Sequence, residues 1–395
     1  MNKHVPAPRT RWFDESSISL HDFIADIKEA AAHLSCPLAD DVQKNVPIYN
    51  ASKIHSLIND QSSLDRYMNE WTDVLLDGPG IVVFRGAFAD TSVVDRTTDV
   101  LNDLIAEEKR VMGERGDHFG RVGQNARLWN AHEKLCVADP EAFIRYNAID
   151  VVDLISRAWL GPLYQITTQV NVVYPGGKAQ TAHRDYHMGF QTAEQLYQYP
   201  AHAHRLSAEL TLQGAIAHCD MPIESGPTQL LPFSQRYLPG YLAILRPEFR
   251  DYFLEHHIQL PLKKGDALFF NPALFHAAGN NVSKDIVRFA NLMQIGSGYG
   301  RSIEVVDRAR MSVSVYPTLQ KMVKDGKLSP RQTELVISAT AEGYPFPANL
   351  DIDSPLSGMA PPSQQDMLKR ALEENWTSEK VAAEFDAYLK RRLTH

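Results

Sequence analysis

The sequence predicts a mainly β core, a barrel or sandwich, flanked by α-helical N- and C-terminal extensions in one domain. Three observations predict it. Between about residues 164 and 296 short apolar runs (YQITTQVNVVYPGG, AELTLQGAIAH, TQLLPF, HIQLPLKKGDALFF, DIVRFANLMQIG) follow one another, broken by Gly, Pro, Asn and Asp. On either side of this region the apolar residues recur at helical spacing. With 395 residues, 44% of them hydrophobic and 22% charged, the chain can bury a large core, which excludes disordered and fibrous classes. The expected division is a helical extension over 1–77, the β region with its approaches over 78–300, and a second helical extension over 301–395.

In chain order, residues 17–35 place Leu20, Phe23, Ile24, Ile27 and Ala31 on one helical face behind a serine cap, and a second amphipathic stretch covers 62–76. GPGIVVFRGAF (78–88) is a short β-branched run between glycines, read as a buried strand leading into a helix from Asp90 to Lys109. Residues 110–135 show neither period and read as a long loop. The closely spaced strands follow. Beyond Gly300, Ser329-Pro330 supplies the cap and first-turn proline of one helix, and Thr377 or Ser378 caps a last one ending in KRRL, cations that suit the helix dipole. Residues 343–363 are proline-rich and read as a surface connection rather than a lid.

Charge and cysteine content narrow the function. With 48 acidic against 40 basic residues and a net charge of −8, the chain's field repels phosphate backbones and anionic lipid, so neither nucleic acid nor a membrane is expected as a partner. Cys36, Cys136 and Cys219 are odd in number and lack CxxC spacing, which argues against a disulfide framework or structural zinc and fits a reducing cytoplasm. There is no apolar leader at the N-terminus and no run near the ~20 residues that span a bilayer. The oligomeric state is not legible.

One constellation carries chemistry. His183 and Asp185 lie two apart after the strand ending at Tyr174, and residues two apart in an extended chain share a face. A distal His276 ends the apolar run ALFFNPALFH. Two imidazoles and one carboxylate make the facial triad that binds Fe(II) and leaves positions open for a chelating cosubstrate and O2. Twelve positions on, Arg288 lies inside the strand-like DIVRFANLMQI, and a hairpin is expected to return it beside the metal. Its charge closes the count: Fe(II) +2, Asp −1, a bound dicarboxylate −2 and Arg +1 sum to zero, and a guanidinium fork orients a carboxylate better than lysine does. A second HxD, His218-Cys219-Asp220, leaves only 58 positions before His276 against 93 for the first, too few for the intervening strands. The first is preferred.

GIVVFRGAF, QVNVVYPGGKAQTAHRD, SGPTQLLPFSQRY and KKGDALFFNPALFHAAGNNVSKDIVRFANLMQ, in this order over roughly residues 78–300, resemble the phytanoyl-CoA dioxygenase (PhyH-like) family of Fe(II)/2-oxoglutarate oxygenases. The resemblance implies a double-stranded β-helix (jelly-roll, cupin-like) core. It implies His183, Asp185 and His276 as iron ligands, Arg288 gripping the distal carboxylate of 2-oxoglutarate, and Gln169 and Asn171 helping to hold that cosubstrate. The implied reaction is hydroxylation, or another oxidation, of an unactivated C–H with release of succinate and CO2. Two departures stand out: Ala278 replaces a hydroxyl residue that some relatives carry two positions after the distal histidine, and the usual PGSH-like turn reads Pro232-Phe233-Ser234-Gln235. Asp185 is not a small residue, which disfavours the family's open-site halogenase variant.

Tyr186, His187, Phe190, Arg127 and Thr228 are candidates for contact with a small or medium-sized substrate, with Trp129 and His132 beside Arg127. Against each stands plain packing or a solvated loop. His202, His204 and Arg205 read as surface polarity in a linker rather than a second metal site, and Tyr344 and Phe346 as surface packing. Two alternatives stay open: a cupin-like mononuclear iron enzyme that does not use 2-oxoglutarate, and a non-catalytic metal-binding barrel.

Overall fold

The computed structural model describes residues 11–113, 124–355 and 358–394. Its strands are β1 (Asp41–Gln43), β2 (Val46–Asn50), β3 (Ile81–Arg85), β4 (Asn125–Leu128), β5 (Gln165–Val173), β6 (Thr211–Ala217), β7 (Gln229–Leu231), β8 (Ala267–Phe270), β9 (Phe275–Ala277) and β10 (Arg288–Gly296). Eight of them form one sheet in the order β1-β2-β3-β8-β6-β10-β5-β4, antiparallel except for the β2–β3 pair, while β7 and β9 form a second, two-stranded sheet. Isolated bridges extend the small sheet on both sides, His183 to His276 and Leu230 to Ile258.

The long strands use their two faces differently, as the period of two demands. Ile166, Val170 and Val172 of β5, Phe289, Met293 and Ile295 of β10, Leu212 and Ile216 of β6, and Phe269 of β8 join one large hydrophobic cluster with the helices. The alternate residues line a cavity instead: Gln169 and Asn171, then Arg288, Ala290, Leu292 and Gln294, then Gln213, Ala215 and Ala217, then Leu268 and Phe270. The register Arg288↔Val173 through Gly296↔Gln165, and Ala290↔Ala217 on the other side of β10, aligns these residues in rows. Amides and a guanidinium on a buried strand face cost free energy unless something binds them, so this face is where function sits.

The helical cover follows the sequence reading at its caps. Ser19 accepts from the Asp22 N–H ahead of helix Leu20–Ala32. Ser329 and Gln332 form a capping box with Pro330 in the first turn, and Thr377 caps Ser378–Arg391, which ends in Lys390 and Arg391. Residues from both chain ends, among them Trp71, Tyr316 and Phe385, pack into the same cluster. No helix among the described residues is long and apolar enough to cross a membrane.

Four expectations are corrected. The structure is 47% helical, so "mainly β" holds for the central sheets and not for the chain as a whole. The segment before residue 78 is not purely helical, because β1 and β2 join the edge of the large sheet; they are too short for a period to show. The stretch 110–135 is not one loop: β4 and a helix over Ala131–Ala138 occupy its described part. His202, His204 and Arg205 lie in helix Ala201–Glu209 and not in a linker, with His204, Ser207 and Ala208 on its buried face.

Candidate active site

β9 and the HRD segment pair back to back. His183 and His276 exchange both backbone hydrogen bonds, at 3.0 and 3.1 Å, and the Asp185 N–H reaches the Pro272 carbonyl at 2.9 Å. Extended pairing sends His183, Asp185 and His276 to the cavity and Arg184 to the opposite side. There its guanidinium donates to the Ser234 and Tyr237 carbonyls and lies over the rings of Tyr241 and Phe275, at 5.2 and 5.0 Å. Arg184 is only 3% exposed and burial pushes its pKa down to about 10, so this cation is retained as a clamp on the loop between its two neighbours. Gly240 makes the clamp fit, since a Cβ there would sit 2.0 Å from Arg184 Cζ. Gly240→Ala should therefore cost about 1–3 kcal/mol of stability through overpacking and weaken metal binding with it, checked by thermal melts with and without iron.

The three candidate ligand atoms lie within 4.8 Å of one another. His183 Nε2 is 3.7 Å from Asp185 Oδ1, and His276 Nε2 is 3.5 Å from Asp185 Oδ2. Each imidazole turns Nδ1 to a backbone carbonyl at 2.8 Å, Thr181 O for His183 and Leu274 O for His276. A carbonyl only accepts, so Nδ1 carries the proton and Nε2 keeps its lone pair for a metal. Burial, then the neighbouring His276, lowers the His183 pKa, which favours the neutral ligand form. Burial alone would raise the Asp185 pKa, but the two imidazoles and a hydrogen bond from Gln213 outweigh it and hold the carboxylate ionised. These are the donor types and protonation states that Fe(II) takes from a protein.

Arg288 enters the same cavity by a route the sequence did not suggest. The expected hairpin is absent: β9 belongs to the small sheet and β10 to the large one, so the chain crosses between sheets over 278–287. Asn281 holds the crossing, donating to the Val173 and Ile286 carbonyls, and Gly226 lets it close, because a Cβ there would meet Asn280 O at 2.2 Å. Arg288 is 4% exposed, and among the described residues its guanidinium makes only two long contacts, 3.4 Å to the Ser225 and Gly279 carbonyls. Among the described residues no carboxylate pairs with it, and burial pushes its pKa down to about 10. A cation left in this state inside a cavity is a receptor for an anion.

The cavity measures about 490 Å³ and contains the triad and Arg288 together. Gln169, Asn171, Arg127, Thr228 and Phe190 also line it, as does Trp129; Arg127 donates to Gln169 Oε1 at 3.2 Å. Leu260, Leu262, Met221, Leu268 and Phe270 supply an apolar wall. Tyr186 and His187 do not line it. Tyr186 is buried, both residues have positive φ (67° and 42°), and the His187 ring bonds the Arg301 carbonyl, so the pair turns the chain away from the metal ligands. Tyr344 and Phe346 also lie outside the cavity. Sequence reasoning missed Gln213, Gln180 and Gln294; for Gln213 on β6 and Gln294 on β10 a glutamine at an inward strand position was the available signal, whereas Gln180 lies outside any strand.

The second HxD is structural. His218 sits at the end of β6 on the helix side, its nitrogens bonded to the Thr98 and Tyr146 hydroxyls and its ring stacked on Phe289, while Asp220 accepts from the Lys264 N–H. His132 is likewise buried, bonded to the Ala339 carbonyl. Burial pushes both pKa values down to about 3. Below the unfolded value near 6.5 the unfolded chain takes up protons that the folded one refuses, so stability falls as pH drops from about 6.5 toward 3. Each ring should cost about 1.4 kcal/mol per pH unit in that window. Urea midpoints at pH 7 and 5.5 should show the loss, and His132→Phe should reduce it.

Two imidazoles and a carboxylate that could hold a metal share one cavity with a buried guanidinium, and the protein is a 2-oxoglutarate-dependent non-haem iron enzyme. The chain belongs to the phytanoyl-CoA dioxygenase (PhyH) family, whose sequence profile matches residues 76–290. No curated protein matches it. Among solved structures it is similar to the non-haem α-ketoglutarate-dependent carbocyclase SnoK from nogalamycin biosynthesis, with 18% identity, 60% of this chain and 84% of that one covered, and a TM-score of 0.42. It is also similar to the epimerase SnoN in complex with Fe3+, α-ketoglutarate and nogalamycin RO (17%, 60% and 85%, 0.39) and to AviO1 from Streptomyces viridochromogenes Tue57 (12%, 61% and 96%, 0.41).

Proposed function

We propose that the protein hydroxylates an unactivated C–H of a small or medium-sized metabolite, consuming 2-oxoglutarate and O2 and releasing succinate and CO2. His183, Asp185 and His276 are assigned as the iron ligands and Arg288 as the grip on the distal carboxylate of the cosubstrate. The single observation that carries this reading is Arg288, a buried guanidinium without an acidic partner among the described residues, in the same cavity as the triad. An iron enzyme that dispensed with a dicarboxylate would have no use for that charge.

When bound, iron supplies the oxidising chemistry, and the polypeptide does the rest. Arg288 and the polar wall of Asn171 and Gln169 fix the cosubstrate in one orientation, and the apolar residues at Leu260, Leu262, Met221 and Phe270 keep water from the centre. Thr228, Phe190 and Arg127 are the cavity residues assigned to substrate. A volume of about 490 Å³ falls in the range of small-molecule sites, ~300–1,000 Å³. We further infer that the two sheets, with the small one extended by its bridges, constitute a double-stranded β-helix within one domain, and that the protein works in the cytoplasm.

The test is a metabolite screen with iron-loaded enzyme, 2-oxoglutarate and 18O2. Hydroxylation predicts one labelled oxygen per product molecule and one succinate. A product lighter by two hydrogens, or isomerised without added oxygen, would reject hydroxylation while leaving the cosubstrate in place.

A further inference from the structure

The strand TLQGAIA is apolar apart from its first residue and one amide, Gln213, which is 3% exposed and points inward opposite Phe270 on β8 and Gln294 on β10. Burying a carboxamide in a strand core is unfavourable without a partner. Gln213 has one: its Nε2 donates to Asp185 Oδ2 at 2.6 Å. Because a carboxylate only accepts, this contact also fixes the rotation of the amide, with the NH2 group toward Asp185.

The consequence concerns the number of oxygens that Asp185 offers a metal. An aspartate carboxylate ligates through one oxygen or through both. A second bond from the same carboxylate would cut the three open positions of a six-coordinate metal to two, enough for a chelating 2-oxo acid but leaving none for O2. Both oxygens face an imidazole, Oδ1 3.7 Å from His183 Nε2 and Oδ2 3.5 Å from His276 Nε2, but Oδ2 is also held by the Gln213 amide at 2.6 Å. The donor is also neutral, so the charge balance of the site is unchanged; a glutamate here would add a negative charge against Asp185.

We propose that Gln213 is a positioning residue: by holding Oδ2 of Asp185 it confines that carboxylate to single-oxygen ligation and keeps three coordination positions open, two for the 2-oxo acid and one for O2. The proposal rests on the cosubstrate reading above.

The experiment compares the wild type with Gln213→Met, which keeps the volume and removes the donor, and Gln213→Asn, which keeps the donor but shortens its reach. Co(II) replaces Fe(II), because its visible absorption reports coordination number, and metal affinity, turnover and 2-oxoglutarate binding are measured on the Fe(II) form; metal-free melts check the fold. Both variants should melt near the wild type, change the Co(II) spectrum and lower metal affinity or turnover at least ~10-fold, the usual scale for partners of metal ligands. A Co(II) spectrum identical to wild type in both variants would overturn the proposal, whether or not metal affinity falls. If the wild type itself ignores 2-oxoglutarate, the cosubstrate reading fails, and the Co(II) comparison still decides the role of Gln213.

Discussion

Asp185→Ala should abolish iron binding and lower turnover by on the order of 10³-fold or more, the several kcal/mol that a metal contributes to transition-state stabilisation. Asp185 is the only acidic member of the three-residue cluster, and without it two neutral imidazoles remain to hold a divalent cation. The fold should survive, since the backbone of residue 185 is held independently, by the Pro272 carbonyl and by the Tyr241 hydroxyl, which donates to the Asp185 carbonyl at 2.9 Å. Asp220→Ala is the matched control. It removes the aspartate of the other HxD, whose carboxylate accepts from the Lys264 N–H at the surface, and it should leave iron content and turnover unchanged. Metal analysis of the two purified variants, with turnover measured alongside, checks both expectations.

Arg288→Met should leave iron binding intact and weaken 2-oxoglutarate binding by about 2–5 kcal/mol, roughly 30- to several-thousand-fold, the usual cost of removing one partner of a buried charge pair. Its effect on stability should have the opposite sign in the cosubstrate-free protein. There Arg288 is a buried cation with, among the described residues, only two carbonyl contacts at 3.4 Å, so an apolar side chain of similar length should melt no lower than the wild type. Adding 2-oxoglutarate should then raise the melting temperature of the wild type and not that of the variant, because only a ligand that binds the folded state stabilises it. Arg288→Lys should be intermediate: the charge remains but the two-point fork is lost. Equal stabilisation of Arg288→Met and wild type by 2-oxoglutarate would move the carboxylate site elsewhere.

The triad was legible because its information is local. His183 and Asp185 two apart, at the start of an extended segment, needed only the strand period, and their spacing to His276 separated them from His218 and Asp220. Arg288 was legible in identity but not in route: the turn-like AAGNNVSKD suggests a hairpin, whereas Asn281 and the close approach at Gly226 carry the chain from one sheet to the other. Gln213 and Arg184 were not legible, because their roles depend on partners 28 and 50 residues away, Asp185 and Ser234, that no period or motif connects. The helix over Ala201–Glu209 was hidden by its polar composition, His202, His204 and Arg205 reading as a linker, and by its short buried face of His204, Ser207 and Ala208. The short edge strands β1 and β2 were hidden by length alone.

The central claim is that one cavity holds an iron and a 2-oxo dicarboxylate together, and anaerobic titration of the Fe(II)-loaded protein with 2-oxoglutarate tests it most directly. The account predicts a visible metal-to-ligand charge-transfer band in the wild type, saturating at one cosubstrate per iron, absent in Asp185→Ala and reached only at much higher concentration in Arg288→Met. A tightly bound iron that gives no such band at any 2-oxoglutarate concentration would contradict it.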